Sequence, residues 1–296
     1  MDSLRVLSPA KVNLRLDVLY ERDDGYHELR TIMQRIDLCD ELEISVGGEE
    51  IDVSSQGEDI PQGTGNMAYR AARSILEKFR IDIGVRIFIR KKIPVAAGLG
   101  GGSSNAAATL MALNRLLELG LTRRELMRMG TRLGADVPFF VYGGSALAGG
   151  IGDRLEEIEL PSPIWMVLVN PGIKVSTAWA YKNLNTGLTK KINNISILPP
   201  MAGISDVANF LYNDLEIVTI ERYPEIQKIK DGLIDRGALG ALMSGSGPTV
   251  FGIFPDKEVA ERAFHQLKLA SPEYTLFLSS SLDNEDQGGV NGSNGS

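Results

Sequence analysis

The chain has 296 residues, 43% of them apolar and 23% charged, and a formal net charge of −7. That length supports a sizeable core and one large domain or two ordinary ones, and the acidic balance argues against a general nucleic-acid binder, whose surface has to be basic. A single cysteine, Cys39, excludes a disulfide framework and a cysteine metal site within one chain. The N-terminus shows no charged-then-apolar signal pattern, and no apolar run approaches the ~18 residues that span a bilayer. A cytoplasmic protein without nucleic-acid or membrane partners is expected.

In "KVNLRLDVLY", Val12, Leu14, Leu16 and Val18 recur at period two and predict a half-buried strand. Asp24-Gly25 signals a turn, and "ELEISV" and "VRIFIRK" repeat the alternation. Between them, "GTGNMAYRAARSILEKF" has helical spacing, with Thr64 or Asn66 as its cap. A second helix opens in a glycine stretch, with Ala106, Leu110, Leu113 and Leu117 three and four apart and Gly120 as a stop. Thr122 and Glu125 form a capping-box pattern for a third. "LGADVPFFVYGGSALAGGIGD" reads as short strands and tight turns. After residue ~155 a second pattern begins. "IWMVLVNPG" reads as a buried strand and "STAWAYKNL" as a helix. The polar, proline-ended segment over 185–205 is expected to be a mobile excursion. A mostly helical segment broken at Pro224 follows, then strand, loop and strand in "LGALMSGSGPTVFGIF", a helix around 256–270 and a last strand at "YTLFLS". The tail over 281–296 cannot bury a core and is expected to be disordered. Strands and helices in this order suggest an α+β protein of two domains.

The stretch "IPVAAGLGGGSSNAAA", residues 93–108, places four glycines within 98–102 ahead of two serines. It fails the dinucleotide fingerprint, because Ser103 stands where the third glycine belongs and no acidic ribose partner follows a strand about twenty residues on. It fails the Walker pattern, because no lysine follows the glycines. What survives is the underlying physics: a strand leads through a glycine-rich turn into a helix. Glycines let the backbone approach an anion with no Cβ in the way, and a helix N-terminus offers free N–H groups and the positive end of its dipole. Ser103 and Ser104 would add hydroxyls to phosphates or to Mg²⁺. A turn that merely packs is the alternative, but it needs one or two glycines rather than four with two serines behind them.

"PVAAGLGGGSSNAA" resembles the second signature motif of the GHMP kinases, which is their ATP phosphate-binding loop. "SPAKVNLRLDV" resembles their N-terminal motif and "MSGSGPTVFGIF" their glycine-rich C-terminal motif, so three motifs stand in order from Ser8 to Phe254. The resemblance implies the two-domain GHMP kinase fold: a ribosomal-protein-S5-domain-2-like N-terminal domain over 1–155, a ferredoxin-like C-terminal domain over 156–280, and ATP and substrate bound in the cleft between them. It implies phosphoryl transfer from ATP, with Mg²⁺, to a hydroxyl of a small molecule. Pro94, Val95, Ala96, Ala97, Gly98, Leu99, Gly100, Gly101, Gly102, Ser103 and Ser104 would hold the phosphates. Asn66 would touch the adenine side, or serve only as a helix cap. Carried over from the family, Asp136 in "LGADVP" is the base that takes the hydroxyl proton, and Lys11 in "AKVN" neutralises charge beside it.

"DGYHEL" narrows the resemblance to a branch whose alcohol carries a cytosine. Tyr26 would stack on that base, and His27 would hydrogen-bond its polar edge. Asn13, two residues past Lys11 on the same strand face, would contact substrate. "NPGIKVSTAWAY" would supply Thr177 to the sugar-alcohol part and Tyr181 to face Tyr26 across the base. "SGSGPT" would form a second backbone nest with Gly245 and Ser246 at the substrate, or only a turn between strands. No protein ligand for Mg²⁺ is placed beyond Ser103. A monomer or weak homodimer is expected, in a bacterial cytoplasm or, after loss of a transit peptide, a plastid stroma. The competing readings are a kinase for a small alcohol such as homoserine or mevalonate, which has no base to stack, and a nucleotide sensor without turnover, which needs no base catalyst.

Overall fold

The computed structural model describes residues 3–184 and 201–283; most of the 185–205 excursion and of the 281–296 tail lies outside the described residues. Two long strands, β1 (Ser3–Glu21) and β2 (His27–Val46), meet at the Asp24-Gly25 turn and pair antiparallel along their length. The period-two residues Val12, Leu14, Leu16 and Val18 are all buried, as the alternation requires. β3 (Ile51–Gln56) is followed by α1 (Met67–Phe79), which Asn66 caps by accepting the N–H groups of Ala68 and Tyr69. Then come β4 (Val85–Arg90), α2 (Gly101–Leu116) and α3 (Arg123–Thr131), the last with the reciprocal Thr122–Glu125 capping box.

Next, α4 (Val137–Tyr142) corrects the expectation of strands and turns in this segment. Pro138 suits the first turn of a helix, where no intrahelical N–H bond is lost. Val137, Phe139, Phe140 and Val141 are all buried, and a short run that is apolar on every side has no period to distinguish helix from strand. β5 (Ser145–Gly149) and β6 (Arg154–Glu157) complete this half. The sheet runs β3-β4-β2-β1, with β5 on the early part of β2 and β6 on β5.

The second half contributes β7 (Trp165–Asn170), α5 (Thr177–Asn183), α6 (Ile204–Asn209), β8 (Tyr212–Asn213), α7 (Glu216–Arg222), α8 (Glu225–Ile234), β9 (Gly240–Met243), β10 (Val250–Phe254), α9 (Lys257–Ala270) and β11 (Thr275–Ser280). β8 returns to the first sheet and pairs with β1. The other four strands form an antiparallel sheet in the order β11-β7-β10-β9. Helices precede β9 and follow β10, which is the split β-α-β-β-α-β pattern of ferredoxin-like domains.

Strand alternation locks the halves together. On β7, Val167 and Val169 face the α8 and α9 side, while Met166 and Leu168 join Phe251, Ile253, Val12 and Leu14 in a core shared by both sheets. Each such side chain contributes about 1.5–3 kcal/mol when fully buried, so β1 cannot slide relative to the second sheet without exposing several of them. Cys39 lies half-buried, and burial, helped by Asp37 and Asp40, pushes its thiol up to about 11. It is therefore protonated and unreactive at neutral pH. Among the described residues no helix is long and apolar enough to cross a membrane.

Candidate active site

A cavity of about 1150 Å³ opens where the halves face each other. β1 supplies its floor: Ala10, Val12 and Leu14 point into the shared core, so Lys11 and Asn13 point the other way, toward the cavity. The Lys11 backbone N–H donates to the Leu99 carbonyl at 3.0 Å, tying this strand to the glycine stretch. Its ammonium donates to Asn13 Oδ1 and stands 3.5 Å from Asp136 Oδ2. Asn13 is itself oriented by donating Nδ2 to Thr31 Oγ1 at 2.8 Å, and the Thr31 hydroxyl donates to the Arg15 carbonyl. Asp136 precedes α4 without capping it, so its carboxylate is not committed to the helix and stays partly open to the cavity. Lys11 has three donors, and two are aimed at Asn13 and Asp136. Sequence-distant residues thus form a carboxylate–ammonium pair beside the glycine cradle.

Two glycines of the cradle, Gly98 and Gly100, leave no room for a side chain. A Cβ on Gly98 would stand 2.1 Å from the Ser244 carbonyl oxygen, and one on Gly100 would meet the Phe140 ring at 2.8 Å. Gly98, at φ +77°, and Gly100, at φ +71°, also hold the left-handed backbone that glycine allows. Ser244 staples three segments: its hydroxyl donates to the Gly98 carbonyl at 2.9 Å and accepts the Asn13 N–H at 3.2 Å. Glu58 holds the outer edge by accepting the Val95 N–H at 2.7 Å. The first-turn amides of α2 lie behind these glycines, and Gly101, Gly102 and Ser103 line the cavity.

The two serines separate in the fold. Ser103 lines the cavity, whereas Ser104 is buried and shares a 2.7 Å hydrogen bond with Ser8, which also donates to Asn105. Leu99 is likewise buried in the shared core, while Pro94, Val95, Ala96, Ala97, Gly98 and Gly100 line the cavity. Asn66 does so too, with its amide engaged by α1 and by the Pro61 carbonyl.

Tyr26, His27, Thr177 and Tyr181 line the same cavity. Tyr26 is 60% exposed. His27 stacks on Tyr181, with ring centroids 5.1 Å apart and planes 30° from parallel, so the described partner of Tyr181 is the histidine of "GYHEL". Burial, and secondarily the Asp136 carboxylate, raise the Tyr181 phenol above its ordinary range, which keeps it a neutral hydrogen-bond donor. Ser176 caps α5 by accepting the Trp179 N–H. The Thr177 hydroxyl is 2.9 Å from that of Ser246, joining α5 to the second glycine-rich turn. In that turn Gly245 takes φ +57°, and its carbonyl accepts from Asn213, which also bonds the Met243 carbonyl.

The sequence does not announce a buried ion pair under the cradle. Lys91 Nζ stands 2.9 Å from Asp40 Oδ2, and both side chains are almost fully buried. Asp40 Oδ1 accepts the N–H groups of Lys92 and Ile93, and Lys91 donates to the Ile93 carbonyl. Together they clamp the turn that leads from β4 into the glycines. "RKK" carries no sign of which lysine is buried, because the partner lies fifty residues away in sequence.

Residues 66–144 match the GHMP kinases N terminal domain and residues 201–272 the GHMP kinases C terminal domain. The chain is similar to 4-diphosphocytidyl-2-C-methyl-D-erythritol kinase of Geobacter metallireducens, at 53% identity over 93% of this chain and 98% of the relative. It is 50% identical to the same-named protein of Syntrophus aciditrophicus over 95% of this chain and 100% of the relative. A crystal structure of 4-(cytidine 5'-diphospho)-2C-methyl-D-erythritol kinase superposes with TM-score 0.76 at 36% identity, covering 94% of this chain and 98% of that one.

Proposed function

Because the chain belongs to the GHMP kinase family, we propose that Asp136 and Lys11 carry out its phosphoryl transfer at the end of a phosphate cradle over 94–103. The reaction moves the γ-phosphoryl group of ATP to the 2-hydroxyl of 4-diphosphocytidyl-2-C-methyl-D-erythritol, giving the 2-phosphate and ADP. It is a step of the methylerythritol phosphate route to isoprenoid precursors. One observation carries the assignment of roles: the 3.5 Å Lys11–Asp136 pair stands in the same cavity as the glycines that exclude a Cβ.

Phosphoryl transfer asks the protein mainly to position its groups and to stabilise charge. The amides of the first turn of α2 and of the glycine backbone donate hydrogen bonds to the phosphate oxygens. Asp136 takes the proton of the attacking hydroxyl. The remaining Lys11 donor faces the charge that develops on the transferring group. Among the described residues no three His, Cys, Asp or Glu side chains group to hold a metal. Mg²⁺ fits as an ion carried on the nucleotide phosphates with Ser103 as its protein ligand, sharing the charge of the transferred group. Ser104 supports the helix through Ser8 instead.

The cytosine lies between Tyr26 and the Tyr181–His27 pair, with Asn13, Thr177, Gly245 and Ser246 along the sugar-alcohol and diphosphate. The facing surfaces of 1–155 and 156–280 make the cleft. Every group named comes from one chain, so a cytoplasmic monomer or weak homodimer is catalytically complete.

A coupled assay with ATP and a panel of alcohols tests the substrate. Turnover is expected with the cytidine-bearing alcohol and not with homoserine or mevalonate; the reverse result would refute the assignment. Tyr26→Ala is expected to raise KM for the cytidine substrate about tenfold, the loss of one base–aromatic stack, while KM for ATP stays put. A parallel rise in both constants would deny Tyr26 that role.

A further inference from the structure

We propose that Glu28 is a positioning residue that sets the width of the base-binding end by tying two separate hairpins to one carboxylate. The inference rests on the reading above, in which Tyr26 and His27 take the cytosine. Glu28 follows His27 at the start of β2, and its side chain is only 12% exposed. Its Oε1 accepts the Gly150 N–H at 3.2 Å and the Arg154 guanidinium. Its Oε2 accepts from Arg22 at 3.4 Å. Arg22 also bonds Asp24 Oδ2 at 2.9 Å, and Asp24 Oδ1 accepts the Tyr26 N–H at 3.1 Å. An unbroken chain of polar contacts therefore runs from the backbone of Tyr26, through Asp24, Arg22 and Glu28, to the turn at Gly150.

That turn is a wall of the site: Ile151 and Gly152, the next two residues, line the cavity along with Tyr26 and His27. Besides Glu28, the turn is held to β2 by the Leu29 N–H donating to the Gly150 carbonyl at 2.7 Å. Each arginine pair is partly exposed and weak by itself. The carboxylate is different: it is largely enclosed and serves three donors at once, and hydrogen bonds to an ionised acceptor are the stronger kind. Removing it frees both hairpins at the end where the base enters. Lys11 and Asp136, at the transferring end, share no contact with the network, so the loss should appear in substrate capture and not in the chemical step.

The test compares wild type with Glu28→Gln, which keeps an acceptor for Gly150 but loses the charge, and Glu28→Ala, which loses both. KM for the cytidine-bearing alcohol, KM for ATP, kcat, and the inhibition constant of CDP against that alcohol are measured. KM for the alcohol and Ki for CDP are expected to rise together, about fivefold in Glu28→Gln and about twentyfold in Glu28→Ala. kcat and KM for ATP are expected to stay within about twofold. A merely structural role would lower kcat and melting temperature without moving Ki for CDP, and that result would overturn the proposal. Unchanged constants in Glu28→Ala, with wild type still binding CDP, would overturn it alone. A wild-type enzyme indifferent to CDP would overturn the cytosine reading and this proposal with it.

Discussion

Asp136→Asn is expected to lower kcat roughly a thousandfold, within the range that a positioned acid–base group supplies, while the dissociation constant for ATP changes by less than about threefold. The carboxamide has the shape of the carboxylate and does not disturb α4, since Asp136 makes no capping bond. What it lacks is an acceptor basic enough for the hydroxyl proton and a charge opposite Lys11. Steady-state rates with saturating substrates, together with calorimetric ATP binding, separate the two effects. A variant retaining a tenth or more of the wild-type kcat would refute Asp136 as the base, because a general base is worth at least about a hundredfold. Weakened ATP binding in step with lost turnover would point to a phosphate contact in its place.

Gly98→Ala is expected to destabilise the protein severely. Its Cβ would stand 2.1 Å from the Ser244 carbonyl oxygen and 3.2 Å from that of Gly247, both backbone atoms that cannot rotate away. The position also requires φ +77°. Strain and collision together should cost about 3 kcal/mol or more of stability, read as a lower urea midpoint. Because Gly98 receives the Ser244 hydroxyl that also takes the Asn13 N–H, the site should open with it, and kcat/KM for ATP should fall by more than about a hundredfold. Gly102→Ala is the control: its Cβ meets nothing closer than Met67 Sδ at 3.4 Å. It should fold like wild type and show its defect in KM for ATP, where a methyl group intrudes on the cradle. Equal stability of Gly98→Ala and wild type would rule out the close approach seen at Ser244.

Much of this was legible along the chain because it depends on near neighbours. The alternation in β1, the caps of α1 and α3, and the glycine run ahead of α2 are short-range patterns, and each appeared where its local chemistry placed it. α4 is not legible in the sequence, because burial of Val137 through Val141 on all sides hides its period. Ser103 and Ser104 look equivalent in sequence, but successive residues of a helix point about a hundred degrees apart, so one lines the cavity and the other meets Ser8. The His27–Tyr181 stack is likewise a long-range contact that no local pattern announces.

The order of residue types from 85 to 108 by itself determined that a strand would run through a glycine-rich turn into the start of a helix. Motif resemblance added which carboxylate and which amine to watch. Only the tertiary structure decided that Lys11 and Asp136 stand 3.5 Å apart, that Lys91 and Asp40 clamp the turn from below, and that Glu28 joins two hairpins. Backbone propensity acts over a few residues and is written in their order. Pairing of charges across long sequence separations follows from how two sheets seat on a common apolar core, and no single segment encodes that seating.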